Sequence, residues 1–334
     1  MKTFFKVVGI VLLVVVALAA IGVSYLVLRK PAQRPASATK IEATPERVAR
    51  GKYLVEHVSA CYDCHSERTL AYGLPMKPGR QGVGGFVWNA QIQFPGTLAA
   101  ANITPDVETG LGKWTDGEII RAIREGVDRD GNALFPIMPY GHYRNMSDDD
   151  AAAVVVYLRT LRPQKYATPK KALDVPLNLI EKFIPKPLEA AVTAPSRANT
   201  VAYGQYLSQI AACHECHTPK DDKGNPIPGK ELAGGFEMHT PWFRVVTANI
   251  TPHPSTWMGH ATKAEFIARF HAFAGVNASN APQAEKGRNT LMPWLTFSGM
   301  TDADLGALYD YLKTVRPVEN KVNPFPDAKP DAKS

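Results

Sequence analysis

Cys61-Tyr62-Asp63-Cys64-His65 and Cys213-His214-Glu215-Cys216-His217 between them use all four cysteines of the chain. Paired cysteines at this spacing suit a disulfide framework, a zinc site or a redox dithiol, yet none of these gives a reason for a histidine directly after the second cysteine. Covalent haem does. Two thiols add to the porphyrin vinyl groups, and the adjacent imidazole then lies under the ring as an iron ligand. The motifs predict two haem c groups, held by Cys61 and Cys64 and by Cys213 and Cys216, with His65 and His217 as proximal ligands. No cysteine remains for a structural disulfide or a thiol nucleophile.

The far side of each iron decides between two chemistries. A thioether there favours electron transfer and raises the potential, whereas an open site admits ligands. Of eight methionines, Met138 and Met292 follow their motifs at similar distances, and each is followed by proline. Proline keeps the residue before it out of helical conformation, which suits a loop presenting a thioether to iron. Met146 and Met300 also repeat, but they directly precede a helix start, where packing is the natural role. His142 has no counterpart in the second copy. His57, His239, His253, His260 and His271 are likewise unmatched and read as solvated or core side chains, and His214 is expected to face outward.

These residues recur because much of the chain is duplicated at an offset of about 150 residues. Gly51-Lys52-Tyr53-Leu54 matches Gly204-Gln205-Tyr206-Leu207, and Gly84-Gly85-Phe86 matches Gly234-Gly235-Phe236. Further on, Asn102-Ile103-Thr104-Pro105 matches Asn249-Ile250-Thr251-Pro252, and Met138-Pro139-Tyr140 matches Met292-Pro293-Trp294. Thr44 before Pro45 predicts a capped helix running toward Cys61. Ser147 and Thr301, each followed by aspartates, predict the N-caps of two closing helices that end at Arg162-Pro163 and Arg316-Pro317. Val154, Tyr157, Leu158 and Leu161 in one, and Leu305, Leu308, Leu312 and Val315 in the other, have the spacing of a buried stripe.

The expected architecture is mainly α, with two tandem domains over residues 44–163 and 196–317, long loops, and one transmembrane helix before them. Residues 7–28 form an apolar run long enough to cross a bilayer core. Ala17-Leu18-Ala19 offers a signal-peptide cleavage site, but cutting there would leave an exposed apolar stub, so residues 1–30 read as an uncleaved anchor. Positive charge flanks both ends, so loop charge does not orient the helix. Haem attachment outside the cytoplasmic membrane, general for c-type cytochromes, puts residue 29 onward in a bacterial periplasm. Residues 31–43 read as a flexible tether, residues 164–195 as a connection with a short surface helix near residues 177–184, and residues 318–334 as a disordered tail. The formal charge of +7 comes without a long basic block, which gives no support to nucleic-acid binding.

Cys61 to His65, followed by Asn102-Ile103-Thr104-Pro105-Asp106, Gly110-Leu111-Gly112-Lys113-Trp114 and Met138-Pro139-Tyr140, resembles the cytochrome c subunits of membrane-bound bacterial dehydrogenases. The resemblance is strong over residues 44–163 and looser over 196–317, where Trp257-Met258-Gly259-His260 leaves Trp114 without a clear equivalent. It implies class I cytochrome c domains with His65 and His217 proximal and Met138 and Met292 distal. It also implies a carrier, not an enzyme, that passes electrons from a dehydrogenase partner toward a quinone or a terminal oxidase. In that family the asparagine and tryptophan positions lie near the haem; a turn-forming role for Asn102 and Asn249 is the alternative. The competing function is a dihaem peroxidase, which needs one open distal site and groups that handle peroxide protons. Both halves instead offer the same methionine loop.

Overall fold

The computed structural model describes residues 1–222, 224–240 and 242–327. It is mainly helical. Helix α1 (Lys2–Leu28) has none of its residues buried, and an 18-residue stretch of it with mean hydropathy 3.0 marks it as long and apolar enough to cross a membrane. At 1.5 Å per residue it is about 40 Å long, more than a bilayer's hydrocarbon core of about 30 Å.

The first half comprises α2 (Pro45–Tyr53), α3 (Cys61–His65), α4 (Asp116–Glu125), α5 (Tyr140–Tyr143) and α6 (Asp148–Thr160). A strap containing α7 (Leu177–Ile180) follows. The second half repeats the order with α8 (Thr200–Ile210), α9 (Cys213–His217), a further short helix α10 (Trp257–His260), then α11 (Lys263–His271), α12 (Trp294–Phe297) and α13 (Asp302–Thr314). Strands β1 (Val87–Trp88), β2 (Gly96–Ala99) and β3 (Ala172–Leu173) form one small antiparallel sheet, and β4 (Glu237–His239) pairs with β5 (Arg244–Val246) in another.

The caps expected from the sequence are in place. Thr44, Ser147 and Thr301 accept hydrogen bonds from the backbone N–H three residues on, satisfying donors that a helix start leaves free. Thr115 with Glu118 and Thr262 with Glu265 form matching capping boxes on α4 and α11. These boxes align Trp114 with Ala261, so the tryptophan indeed has no aromatic counterpart. Each half is closed by its first helix crossing its last, and both crossings use a glycine. A Cβ on Gly51 would lie 1.9 Å from the Ala153 carbonyl oxygen, and one on Gly204 would lie 1.9 Å from that of Ala307. The expected stripes of α6 and α13 face inward, with Leu305 wholly buried and Val154 1% exposed.

One hydrophobic core runs through both halves, from Leu54 and Val155 to Leu207 and Leu308. Among the described residues the halves do not keep separate cores. The segment expected to be a flexible tether is pinned instead: Lys30 donates to Asn132, Gln33 to the Gly131 carbonyl, and Arg34 pairs with Glu125 at 2.8 Å. The strap is equally engaged, through β3 against β2 and through Lys171 on Glu181. The expected disorder of residues 318–334 does not hold for 318–327. There the Val318 carbonyl accepts from Asn249, the Pro324 carbonyl from Val246, and Arg244 pairs with Asp327. Residues 328–334 lie outside the described part of the chain.

Candidate functional site

Each C-x-x-C-H motif is a single helical turn entered through an alanine in left-handed conformation, Ala60 (φ 48°) and Ala212 (φ 54°). Non-glycine residues adopt that conformation at a cost, and such strain concentrates where geometry is functionally demanded. The turn delivers a histidine whose Nδ1 is committed to the backbone. Nδ1 of His65 lies 2.7 Å from the Ala101 carbonyl oxygen, and Nδ1 of His217 lies 2.7 Å from that of Ala248. With Nδ1 donating, Nε2 carries a lone pair, the tautomer that binds a metal. Burial lowers both imidazole pKa values, partly offset by that backbone bond, so the neutral form prevails.

The four cysteines are unpaired thiols. Burial pushes Cys61 up to about 12 and Cys64, Cys213 and Cys216 up to about 11, so they are uncharged at neutral pH. Among the described residues no group of three or more His, Cys, Asp or Glu side chains is placed to hold a bare metal ion. Two neutral thiols beside an imidazole with a free Nε2 fit haem c and not a tetrahedral zinc site.

The Met138 and Met292 loops share one backbone form. The Met138 carbonyl accepts from Tyr140 and the Met292 carbonyl from Trp294, both at 2.7 Å, across Pro139 (φ −79°, ψ 49°) and Pro293 (φ −73°, ψ 53°). These are inverse γ-turns. Met138 and Met292 pack half-buried at the margin of the core, whereas Met146 and Met300 are 1% and 2% exposed within it. The second pair is core filler.

Asn102 and Asn249 each tie their loop to the segment after the closing helix. Each side-chain oxygen accepts from the backbone and hydroxyl of the threonine two residues on, and each Nδ2 donates to the segment after the closing helix, at Gln164 and Val318 respectively. His214 does not face outward: its Nε2 lies 3.2 Å from the Tyr311 hydroxyl of its own half.

Sequence reasoning missed the way the two motifs meet. The acid in the middle of each motif docks on the short helix after the opposite methionine turn. Thr296 of α12 donates to Asp63, and His142 of α5 pairs with Glu215 at 3.1 Å. Burial raises the Glu215 carboxyl, but hydrogen bonds from His142 and Lys220 outweigh it and hold the pKa at about 2. Tyr143 lies between the motifs with its hydroxyl donating to Ser59 at 2.6 Å. Its ionisation is suppressed by burial and then by Cys61, Cys64 and Asp63 of its own half and Cys216 of the other. The two candidate haem sites are therefore neighbours. Beside the second methionine turn lies an aromatic cluster that the first does not repeat among the described residues: Trp294 contacts Phe270 at 5.1 Å and Phe273 at 5.2 Å between ring centres.

Residues 201–316 match the family model described as cytochrome c. The chain is 33% identical over 192 residues to a nicotinate dehydrogenase subunit of Pseudomonas putida, covering 54% of this chain and 15% of that protein. It is 26% identical over 296 residues to the fructose dehydrogenase cytochrome subunit of Gluconobacter japonicus, covering 84% of this chain and 55% of that one. A "diheme cytochrome c-type" protein of Cereibacter sphaeroides is 29% identical over 231 residues, 67% of this chain and 73% of its own length. The chain thus spans about half or less of the length of the first two relatives. Residues 201–316 thus carry the match to the cytochrome c family, and the chain is similar over more than half its length to cytochrome c subunits of dehydrogenases.

Proposed function

We propose that the protein is a membrane-anchored electron relay with two haems c, one in each of two tandem class I cytochrome c domains at residues 44–163 and 196–317. Cys61 and Cys64 would hold the first haem, with His65 and Met138 as ligands to its iron; Cys213 and Cys216 would hold the second, with His217 and Met292. The observation that carries this reading is the duplicated constellation: two imidazoles with Nδ1 fixed on a carbonyl, and two methionines on the same proline turn. A peroxidase needs its two sites to differ in just these features.

Haem supplies one-electron chemistry when bound; the chain's own residues set how it is used. Ala101 and Ala248 fix the orientation and basicity of the two imidazoles. A thioether on the far side favours electron transfer over ligand binding and raises the potential. The crossed contacts Asp63–Thr296 and Glu215–His142 hold the two motifs side by side, which favours electron exchange between them. Helix α1 anchors the chain in the bacterial cytoplasmic membrane with both haem domains in the periplasm. The similarity to dehydrogenase cytochrome subunits supports a dehydrogenase subunit as donor and a quinone-reactive complex or terminal oxidase as acceptor.

The test is the absorbance band of thioether coordination to ferric haem, measured in wild type and in Met138→Ala and Met292→Ala. Each substitution removes about half of the band. A wild-type protein with one high-spin haem and rapid peroxide turnover refutes the proposal.

A further inference from the structure

The strap between the halves carries an apolar face that the electron-relay reading does not use. Ile180 is 49% exposed, Phe183 46% and Ile184 37%. Ile180 ends α7, and a 3₁₀ turn over Glu181–Phe183 continues it. Residues 180, 183 and 184 therefore fall on one side of a continuous helical segment. The segment is anchored from beneath, where Glu181 is buried and bonded to Lys171 at 2.8 Å.

The same segment touches the end of the membrane helix. Lys182 donates to the Val27 carbonyl at 2.6 Å and to that of Leu26 at 3.4 Å, placing a cation on carbonyls that a helix C-terminus leaves free. The Arg29 guanidinium lies 4.3 Å from the centre of the Phe183 ring. Immediately after Arg29 the chain is fastened to the first half, through Lys30 on Asn132, Gln33 on Gly131 and Arg34 on Glu125. No slack separates the bilayer exit of α1 from the body of the protein.

We propose that Ile180, Phe183 and Ile184 bed into the lipid–water interface beside α1, making the strap a second, monotopic membrane contact. The occupant of this face is a phospholipid surface. Apolar side chains sink into the acyl boundary while Arg29, Lys182 and Lys186 remain among the phosphates, the usual division for an interfacial segment. A single spanning helix leaves a domain free to rotate about it. A second contact beside its exit fixes which face the haem domains turn to the membrane and which to soluble partners.

The proposal rests on α1 spanning the bilayer, and the experiment separates the two. A photoreactive p-benzoylphenylalanine is placed at position 180, 183 or, for comparison, 242, where Trp242 is exposed in the second half. Each full-length chain is reconstituted in vesicles of phosphatidylethanolamine and phosphatidylglycerol, floated and irradiated. Lipid adducts at 180 and 183 at about tenfold or more the yield at 242 support the proposal. Floating chains whose adducts at 180 and 183 do not exceed those at 242, or are to protein, overturn it and leave the anchor standing. Chains that fail to float overturn both.

Discussion

The hydroxyl of Tyr53, in the first half, donates to Asp304 of the second at 2.8 Å. The same bond is made in reverse, for Tyr206 of the second half donates to Asp150 of the first at 2.6 Å. Each phenol also accepts from the backbone at the start of the opposite closing helix, Tyr53 from Thr301 and Tyr206 from Ser147. Both aspartates carry an arginine from their own half as well, Arg197 on Asp304 and Arg50 on Asp150. The halves are thus joined by a pair of equivalent, charge-assisted bonds, that of Tyr206 buried and that of Tyr53 half-buried. Tyr53→Phe and Tyr206→Phe should each lower unfolding free energy by about 1.5–3 kcal/mol, because a hydrogen bond to a charged group is lost inside the protein. Urea denaturation of the haem-loaded chain measures this, and a loss within error of zero for both refutes the role.

The helix crossings leave no room for a side chain. Gly51→Ala and Gly204→Ala should each cost about 3 kcal/mol or prevent assembly, since the carbonyl that the new methyl meets is backbone and cannot swing aside. Gly141→Ala, with nothing within 4 Å of its Cβ, is the matched control. Haem incorporation and melting temperature report the difference.

Two pairs of repeated methionines should separate cleanly. Met146→Leu and Met300→Leu replace buried filler by a side chain of similar volume and should cost less than about 1.5 kcal/mol, with the haem spectrum unchanged. Met138→Leu and Met292→Leu should each lower the potential of one haem in a redox titration, with little change in unfolding midpoint. An unchanged potential in both of the latter variants removes these residues as ligands.

Asn102→Ala and Asn249→Ala test whether the asparagines brace the fold or address the haem. Each loses bonds that tie a loop to the segment after the closing helix. A fall of about 1–3 kcal/mol in stability with potentials unshifted is the expected result. A shifted potential without destabilisation would assign them to the haem.

His271 lends the second half a dependence on pH. Its pKa is raised by the hydrogen bond with Asp302 and then by that with the Ser298 carbonyl, at 2.8 and 2.9 Å. Because the folded pKa lies above the unfolded one, the stabilisation is complete below about pH 6.5 and is lost as pH rises through the folded value. Melting temperatures of wild type and His271→Ala should therefore differ more at acidic than at alkaline pH; a gap that widens with pH contradicts the assignment.

Much of this protein follows from its sequence alone. The helix starts at Thr44, Ser147 and Thr301 were legible because a cap is a contact between residues three apart. The duplication and its motifs were legible because residue types and spacing recur in order. The apolar run of α1 needed only length and composition. Where the strap, the tether and the tail would go was not legible, since their polar and proline-rich composition describes a loop equally well when it is free and when it is pinned.

The meeting of the halves belongs to the tertiary structure. Tyr53 and Asp304 are 251 residues apart, and no periodicity marks a hydroxyl that will end beside a carboxylate from another repeat. Asp63 and Glu215 have no assigned role within their motifs until α12 and α5 supply their partners. The sequence determined what each half contains, because that chemistry is local. Only folding both halves around one core decided that their haem motifs lie side by side, because burial joins residues that the order of the chain keeps apart.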